Sequence, residues 1–164
     1  MKSISSRENP FFKQLVKLAE SAVQRRASRL TLLDGTHLIT AYRAALGLPQ
    51  SLVIGESASD NEEIKHLLAQ LATEQAVSVV VLSDALFREV SPVKTPSGII
   101  ALVAIPVHDV IPVYQGESFS VLLEAIQDPG NLGSILRSAA AAGASDVYLS
   151  AGCADAWSPK TLRA

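Results

Sequence analysis

The sequence predicts an α/β protein in which one small layered domain is followed by the opening part of a second. Three observations lead there. Short apolar runs of strand length alternate with amphipathic stretches of helix length, joined by short loops. Residues 106–117 (PVHDVIPVYQGE), with two prolines, a glycine and no periodicity, read as a linker that interrupts the alternation. The alternation then restarts but yields a single strand–helix–strand unit, and a parallel sheet needs more strands than that to be buried on both faces.

The elements follow in order. Residues 10–22 have helical spacing, with Phe11, Leu15, Leu18, Ala19 and Ala22 on one stripe and Asn9-Pro10 as cap and first turn. Arg25, Arg26 and Arg29 follow on the continuation of that helix. Residues 30–33 read as a short strand ending at Asp34-Gly35, and residues 37–45 return to helix. A strand at 52–54, a helix at 60–72, a buried strand at 77–82, a short helix at 84–90 and a strand at 99–104 complete the first domain, residues 1–105. Beyond the linker, residues 119–125 read as an apolar strand, 127–131 as a turn and 132–142 as a helix that Gly143 stops, with a further strand at 147–149. There is no internal repeat and no low-complexity tract.

Composition narrows the class. The chain is 48% hydrophobic and 18% charged with few aromatics, which fits a globular protein with aliphatic cores. Residues 1–15 are too polar for a signal peptide, and the longest apolar stretch, 98–113, is broken by Pro106, His108, Asp109 and Pro112, so no membrane partner is expected. Cys153 is the single cysteine and can form no internal disulfide, which points to the cytoplasm. The net charge of -2 conceals a basic block: residues 1–45 sum to +5, leaving -7 for the rest. Such a block suits a polyanion met by one face, and equally an ordinary solvated helix surface.

The chemistry concentrates in QDPGNLGSILRSAAAAGA, residues 127–144. Asn131 falls where the N-cap of the following helix is expected, with Leu132, Ile135, Leu136, Ala139 and Ala140 as its buried stripe and Arg137 off it. Backbone donors at a helix start and a guanidinium two turns in would make an anion site; the plainer alternative is a capped helix with a solvated arginine. A phosphate loop at residues 128–133 is disfavoured, because the glycines match neither a Walker nor a dinucleotide pattern. His37, His66 and His108 lack metal-ligand spacing. Trp157 suits a buried or interface position better than a base stack, and Cys153 a packing role better than a nucleophile's.

The run Asp128-Pro129-Gly130-Asn131-Leu132-Gly133-Ser134-Ile135-Leu136-Arg137 resembles the first signature motif, N-x-G-x-x-x-R, of the SpoU/TrmH RNA ribose methyltransferases of the SPOUT superfamily. Residues 158–164 (SPKTLRA) are similar to the S-P-K-x-x-R-A segment common in that family. Residues 33–39 (LDGTHLI) and 95–99 (TPSGI) resemble blocks of the family's N-terminal substrate-binding domain. The resemblance implies a ribosomal-protein-like α/β RNA-binding domain at 1–105, then the truncated beginning of a knotted parallel-sheet methyltransferase domain at 118–164. It also implies methyl transfer from S-adenosylmethionine to a ribose 2'-hydroxyl of structured rRNA or tRNA, by a homodimer.

In that reading Asn131 and Arg137 are the catalytic residues beside the target ribose, and Gly133 gives the turn its backbone clearance. Arg25, Arg26, Arg29, Lys160 and Arg163 join Gly133 as RNA-contacting positions. Arginine is effectively always protonated, so an electrostatic role for Arg137 is favoured over a base. The cofactor pocket is expected beyond Ala164, and residues 1–164 alone are expected to be inactive. The alternative function is a non-catalytic RNA-binding module of ribosomal-protein type, which would not need the N-x-G-x-x-x-R turn.

Overall fold

The first helix starts where an asparagine ahead of a proline should start one. Asn9 Oδ1 accepts the Phe11 amide at 2.9 Å, and α1 (Pro10–Glu20) follows. The structure, a computed structural model, describes residues 1–72, 77–93, 95–107 and 119–164. It divides into two compact units, Met1–Ile105 and Pro106–Ala164. The predicted linker lies almost wholly outside the described residues.

In the first unit, α1 is preceded by the short strand β1 (Lys2–Ile4) and followed by α2 (Ala22–Ser28), β2 (Leu30–Asp34) and α3 (Thr36–Leu46). Next come β3 (Ser51–Gly55), α4 (Glu62–Ala72), β4 (Ser78–Leu82), α5 (Asp84–Val90) and β5 (Ile99–Ala104). The sheet order is β1-β4-β3-β5-β2, with β1, β4 and β3 parallel and β5 antiparallel to both of its neighbours.

Period-two alternation divides the core. Leu32, Val53, Val80, Leu82, Ile100 and Leu102 pack with Phe12, Leu15 and Leu18 of α1 and Leu86, Phe87 and Val90 of α5. Their strand neighbours Leu33, Leu52, Ile54, Ile99, Ala101 and Val103 are buried on the opposite face. There α3 lies against β2 and β5 and also meets α4, whose Ile64, Leu67 and Leu71 are buried. Each buried aliphatic contributes roughly 1.5–3 kcal/mol, so the two-sided apolar sheet dominates the unit's stability.

Charge divides the same way. On the α1 face, residues 10–29 hold Lys13, Lys17, Arg25, Arg26 and Arg29 against Glu20, while α5 adds Asp84 and Glu89 against Arg88. On the other face, α4 and the two residues before it hold Asp60, Glu62 and Glu63 against Lys65, and α3 adds Arg43.

Several expectations need correction here. The helix at 10–22 does not continue to Arg29, because Ser21 takes an extended conformation (φ -115°, ψ 113°). Its N–H closes α1 on the Lys17 carbonyl and its Oγ accepts the Gln24 amide to open α2. Serine competes with helical hydrogen bonding in this way. Phe12, not Phe11, is the fully buried aromatic of α1. The helix expected from residue 60 begins at Glu62, with Asn61 Oδ1 accepting the Glu63 and Ile64 amides.

The blocks at 33–39 and 95–99 meet. Ser97 Oγ donates to the buried Asp34 carboxylate, and the Gly35 amide donates to the Ile99 carbonyl at 3.0 Å. Gly98, at φ 87°, leaves no room for a side chain, since a Cβ would lie 2.4 Å from that of Ala58.

The second unit comprises β6 (Ser120–Leu123), α6 (Pro129–Ala141), β7 (Asp146–Leu149) and α7 (Pro159–Arg163). The two strands are parallel, with Leu122 opposite Tyr148, and both of these side chains are exposed. Among the described residues, no helix is long and apolar enough to cross a membrane.

Candidate functional site

The motif helix begins earlier than its spacing suggests. Asp128, extended at φ -83° and ψ 122°, is the N-cap of α6 and Pro129 its first residue, while Asn131 lies inside the first turn. Asp128 Oδ1 accepts the Asn131 amide at 2.8 Å, and its carbonyl accepts the Leu132 amide at 2.9 Å. Of the two readings, the plainer one, a capped helix with a solvent-facing arginine, is therefore what the structure shows, with Asp128 in place of Asn131 as the cap. Proline has no N–H to offer, and the next donors turn to a residue that already carries negative charge.

The Asp128 carboxyl is held below the usual carboxylate range, chiefly by the Asn131 amide, against desolvation, with the charge of Lys160 helping. Lys160 Nζ stands 3.8 Å from Asp128 Oδ2. A carboxyl lowered on folding stabilises the fold above the unfolded group's pKa, and that stabilisation is lost as pH falls through the folded value. Asp128→Asn is expected to flatten the acid side of the unit's stability profile. Thermal unfolding from pH 6 down to 2.5 checks this, and identical acid limbs for both proteins would refute it.

Asn131 and Ser134, one turn apart, line a crevice of 380 Å³ with Ala125, Ile126, Gln127, Asp128 and Ile135. It lies beyond the carboxyl end of β6, the position at which parallel α/β sheets bind ligands. The loop at residues 125–128 forms its wall and is braced by the loop after β7. Ala125 adopts a left-handed conformation (φ 53°), uncommon for a residue with a side chain, and its amide donates to Ser150 Oγ at 3.1 Å. The Ser150 amide returns to the Leu123 carbonyl at 3.0 Å, and the Ala154 amide reaches the Ile126 carbonyl at 2.7 Å. Cys153 Sγ donates to the Leu123 carbonyl at 3.3 Å, a bracing position in the half-buried loop.

Arg137 is exposed, off the buried stripe. Six residues past Asn131, it is rotated about 120° round the helix, and it does not line the crevice. Ala140, expected on the stripe, is exposed.

Gly133 has a different task from the one expected. It lies within α6, where an added Cβ would fall 2.3 Å from the Thr161 carbonyl oxygen and 2.7 Å from Ala164 Cβ. The absent side chain lets α7 press its backbone against α6. That helix is the SPKTLRA segment: Ser158 Oγ accepts the Thr161 amide at 3.1 Å, and the buried Thr161 hydroxyl donates to the Asp155 carbonyl at 2.9 Å. Lys160 and Arg163 are left exposed. Gly133→Ala is expected to displace α7 and to cost about 1–3 kcal/mol, read by denaturant unfolding. A stability equal to the parent's would show that the two helices yield freely.

Arg25 is also corrected. It is 3% exposed, and Nη1 donates to the carbonyls of Leu18 at 2.6 Å and Ala19 at 3.2 Å, the C-terminal end of α1. It is thus withdrawn from any solvent-facing basic surface, while Arg26 and Arg29 remain exposed. Among the described residues no group of His, Cys, Asp or Glu could hold a metal ion; His37 and His66 are exposed, and His108 lies outside the described residues. Trp157 is half-buried.

Sequence reasoning missed Asp128, Gln127, Ser134 and Thr161. For Asp128 the signal was present, since Asp-Pro marks a helix start as surely as Asn9-Pro10 does.

Comparison with known proteins places these features. Residues 118–164 match the SpoU rRNA Methylase family, and residues 2–101 match the MRM3-like substrate binding domain. A tRNA/rRNA methyltransferase of Synechocystis, itself uncharacterised, is 34% identical over 161 residues, covering 98% of this chain and 57% of that protein. The Bacillus subtilis 23S rRNA (guanosine(2553)-2'-O)-methyltransferase RlmP is 31% identical over 163 residues, covering 99% of this chain and 60% of that protein. The SpoU methyltransferase AviRb from Streptomyces viridochromogenes, solved in complex with the cofactor AdoMet, shares the fold. Its TM-score is 0.81 at 24% identity, covering 95% of this chain and 58% of that one. The chain thus spans somewhat over half the length of these relatives. With one unit matching the substrate-binding domain and the other carrying the methylase motif on α6, the chain belongs to the SpoU rRNA methylase family.

Proposed function

We propose that the protein to which these residues belong transfers a methyl group from S-adenosylmethionine to a ribose 2'-hydroxyl of rRNA or tRNA. The observation that carries the proposal is Asn131, set by the Asp128 cap at the rim of a crevice beyond the carboxyl end of β6. The ribose is supported by the 2'-O specificity in the name of the Bacillus relative, and the cofactor by the AdoMet bound to AviRb.

The crevice does not by itself cradle the cofactor. The crevice has no aromatic face for an adenine, and its one carboxylate already caps α6 and faces Lys160. A ligand of that size needs most of its surface buried among several placed polar groups. What this chain supplies is orientation. In this proposal Asn131 and Ser134 offer an amide and a hydroxyl to a sugar edge, and Arg137 offers a fixed positive charge to the RNA beside it. The whole protein is proposed to act as a homodimer with a knotted methylase domain, in the cytoplasm.

Two measurements test the proposal. Calorimetric titration of the 164-residue chain with S-adenosylmethionine is expected to show no saturable binding. Full-length protein with labelled cofactor and a 23S rRNA transcript is expected to yield a nucleotide resistant to alkaline cleavage, as a blocked 2'-hydroxyl must be. Label on a base with the 2'-hydroxyl free would overturn the ribose assignment.

A further inference from the structure

Resting on the reading that RNA is the substrate, we infer that the groove between α1 and α2 is a seat for the RNA sugar–phosphate backbone. It measures 360 Å³ and is lined by Pro10, Lys13, Gln14, Lys17, Leu18, Gln24 and Ser28. Lys13 and Lys17 stand one turn apart on the exposed side of α1, while Gln14 and Gln24 add side-chain amide donors; the Ser28 hydroxyl donates to the Gln24 carbonyl at 2.7 Å. No acidic side chain lines the groove. Two cations at helical spacing with neutral donors between them suit successive phosphates, which carry charge and accept hydrogen bonds but present no sequence.

The setting supports the assignment. The groove lies on the basic face of the unit, opposite the acidic face of α4. Among the described residues, the carboxylate bonded to its cations is that of Glu8, which pairs with Lys13 at 2.5 Å while 84% exposed. A pair so open to water is worth little and is readily exchanged for a phosphate. The basic residue whose burial takes it out of this surface, Arg25, holds the end of α1 that forms one wall. Within the first unit the sequence pointed to arginines 25, 26 and 29 as RNA contacts; the fold moves the emphasis there to the two lysines.

The test uses the 164-residue chain and a 23S rRNA transcript, with affinity measured from 50 to 300 mM KCl. Each lysine neutralising a phosphate contributes about 0.9 to the slope of log affinity against log salt. Lys13→Gln/Lys17→Gln is therefore expected to make the slope shallower by roughly 2 and weaken binding about tenfold near 100 mM. Lys65→Gln, on the acidic face, is expected to change neither. Both variants alter exposed side chains, so unchanged melting temperatures confirm that folding is not at issue. If the parent binds and the double variant matches its slope and affinity, the groove is not the seat, though the RNA reading stands. If the parent fails to bind the transcript at any salt, the RNA reading falls and the inference with it.

Discussion

Replacing Arg137 by Ala in the full-length protein is expected to lower kcat/KM for RNA methylation about tenfold or more, a loss of roughly 1.4 kcal/mol or greater. The fold is expected to be unchanged, because the side chain is exposed and off the stripe that α6 buries. Geometry refines the expectation. Arg137 is about 9 Å along the helix from Asn131 and a third of a turn round it. A sugar seated at Asn131 would therefore meet the guanidinium through a flanking phosphate more readily than through its reacting hydroxyl. On that account the loss falls mainly on KM, and Arg137→Lys recovers little, since a point charge replaces a planar two-pronged donor poorly. A loss confined to kcat would instead place the charge at the developing alkoxide. Wild-type kinetics in Arg137→Ala protein would remove the residue from the mechanism.

Arg25→Ala is expected to act on stability and not on RNA contact. The guanidinium holds two carbonyls at the end of α1, and a hydrogen bond to a charged donor contributes about 1.5–3 kcal/mol. Losing it in a buried position is expected to cost about 2–3 kcal/mol, seen as a lower denaturant midpoint. Arg25→Lys is expected to recover part of the loss, because an ammonium can also donate to these carbonyls but lacks the rigid planar head that sets Nη1 between them. The slope of RNA affinity against salt is expected to stay as in the parent. An unchanged midpoint together with a shallower slope would return Arg25 to the surface that the sequence first suggested.

Local grammar was legible where a residue's role depends on its neighbours in the chain. Asn9-Pro10 opens α1, short continuous apolar runs mark β3 and β5, and the exposure of Arg137 follows from its helical offset. The same grammar was available at Asp128-Pro129, but Asn131, itself a favoured capping residue, stood nearer the apolar run and displaced the start by three positions. What could not be read depends on contacts between distant residues. The burial of Arg25 needs the bend at Ser21 that folds α2 back beneath the end of α1. The contact of Gly133 with Thr161 needs a helix assembled from residues 159–163, too short to show a period. The strand β1 is three residues long and is defined by β4, about eighty positions away.

The segregation of charge across the first unit's sheet bears on timing as well as strength. A body basic on one side and acidic on the other carries a lasting electric dipole. In the field of a polyanion such a body is turned before it touches, so a larger share of collisions begins with the α1 side forward. Removing acidic residues from α4 would raise the net charge yet blunt that orientation, and two changes that alter net charge equally on opposite faces would have unequal effects on the association rate. Arrival, more than residence, is where this asymmetry is felt.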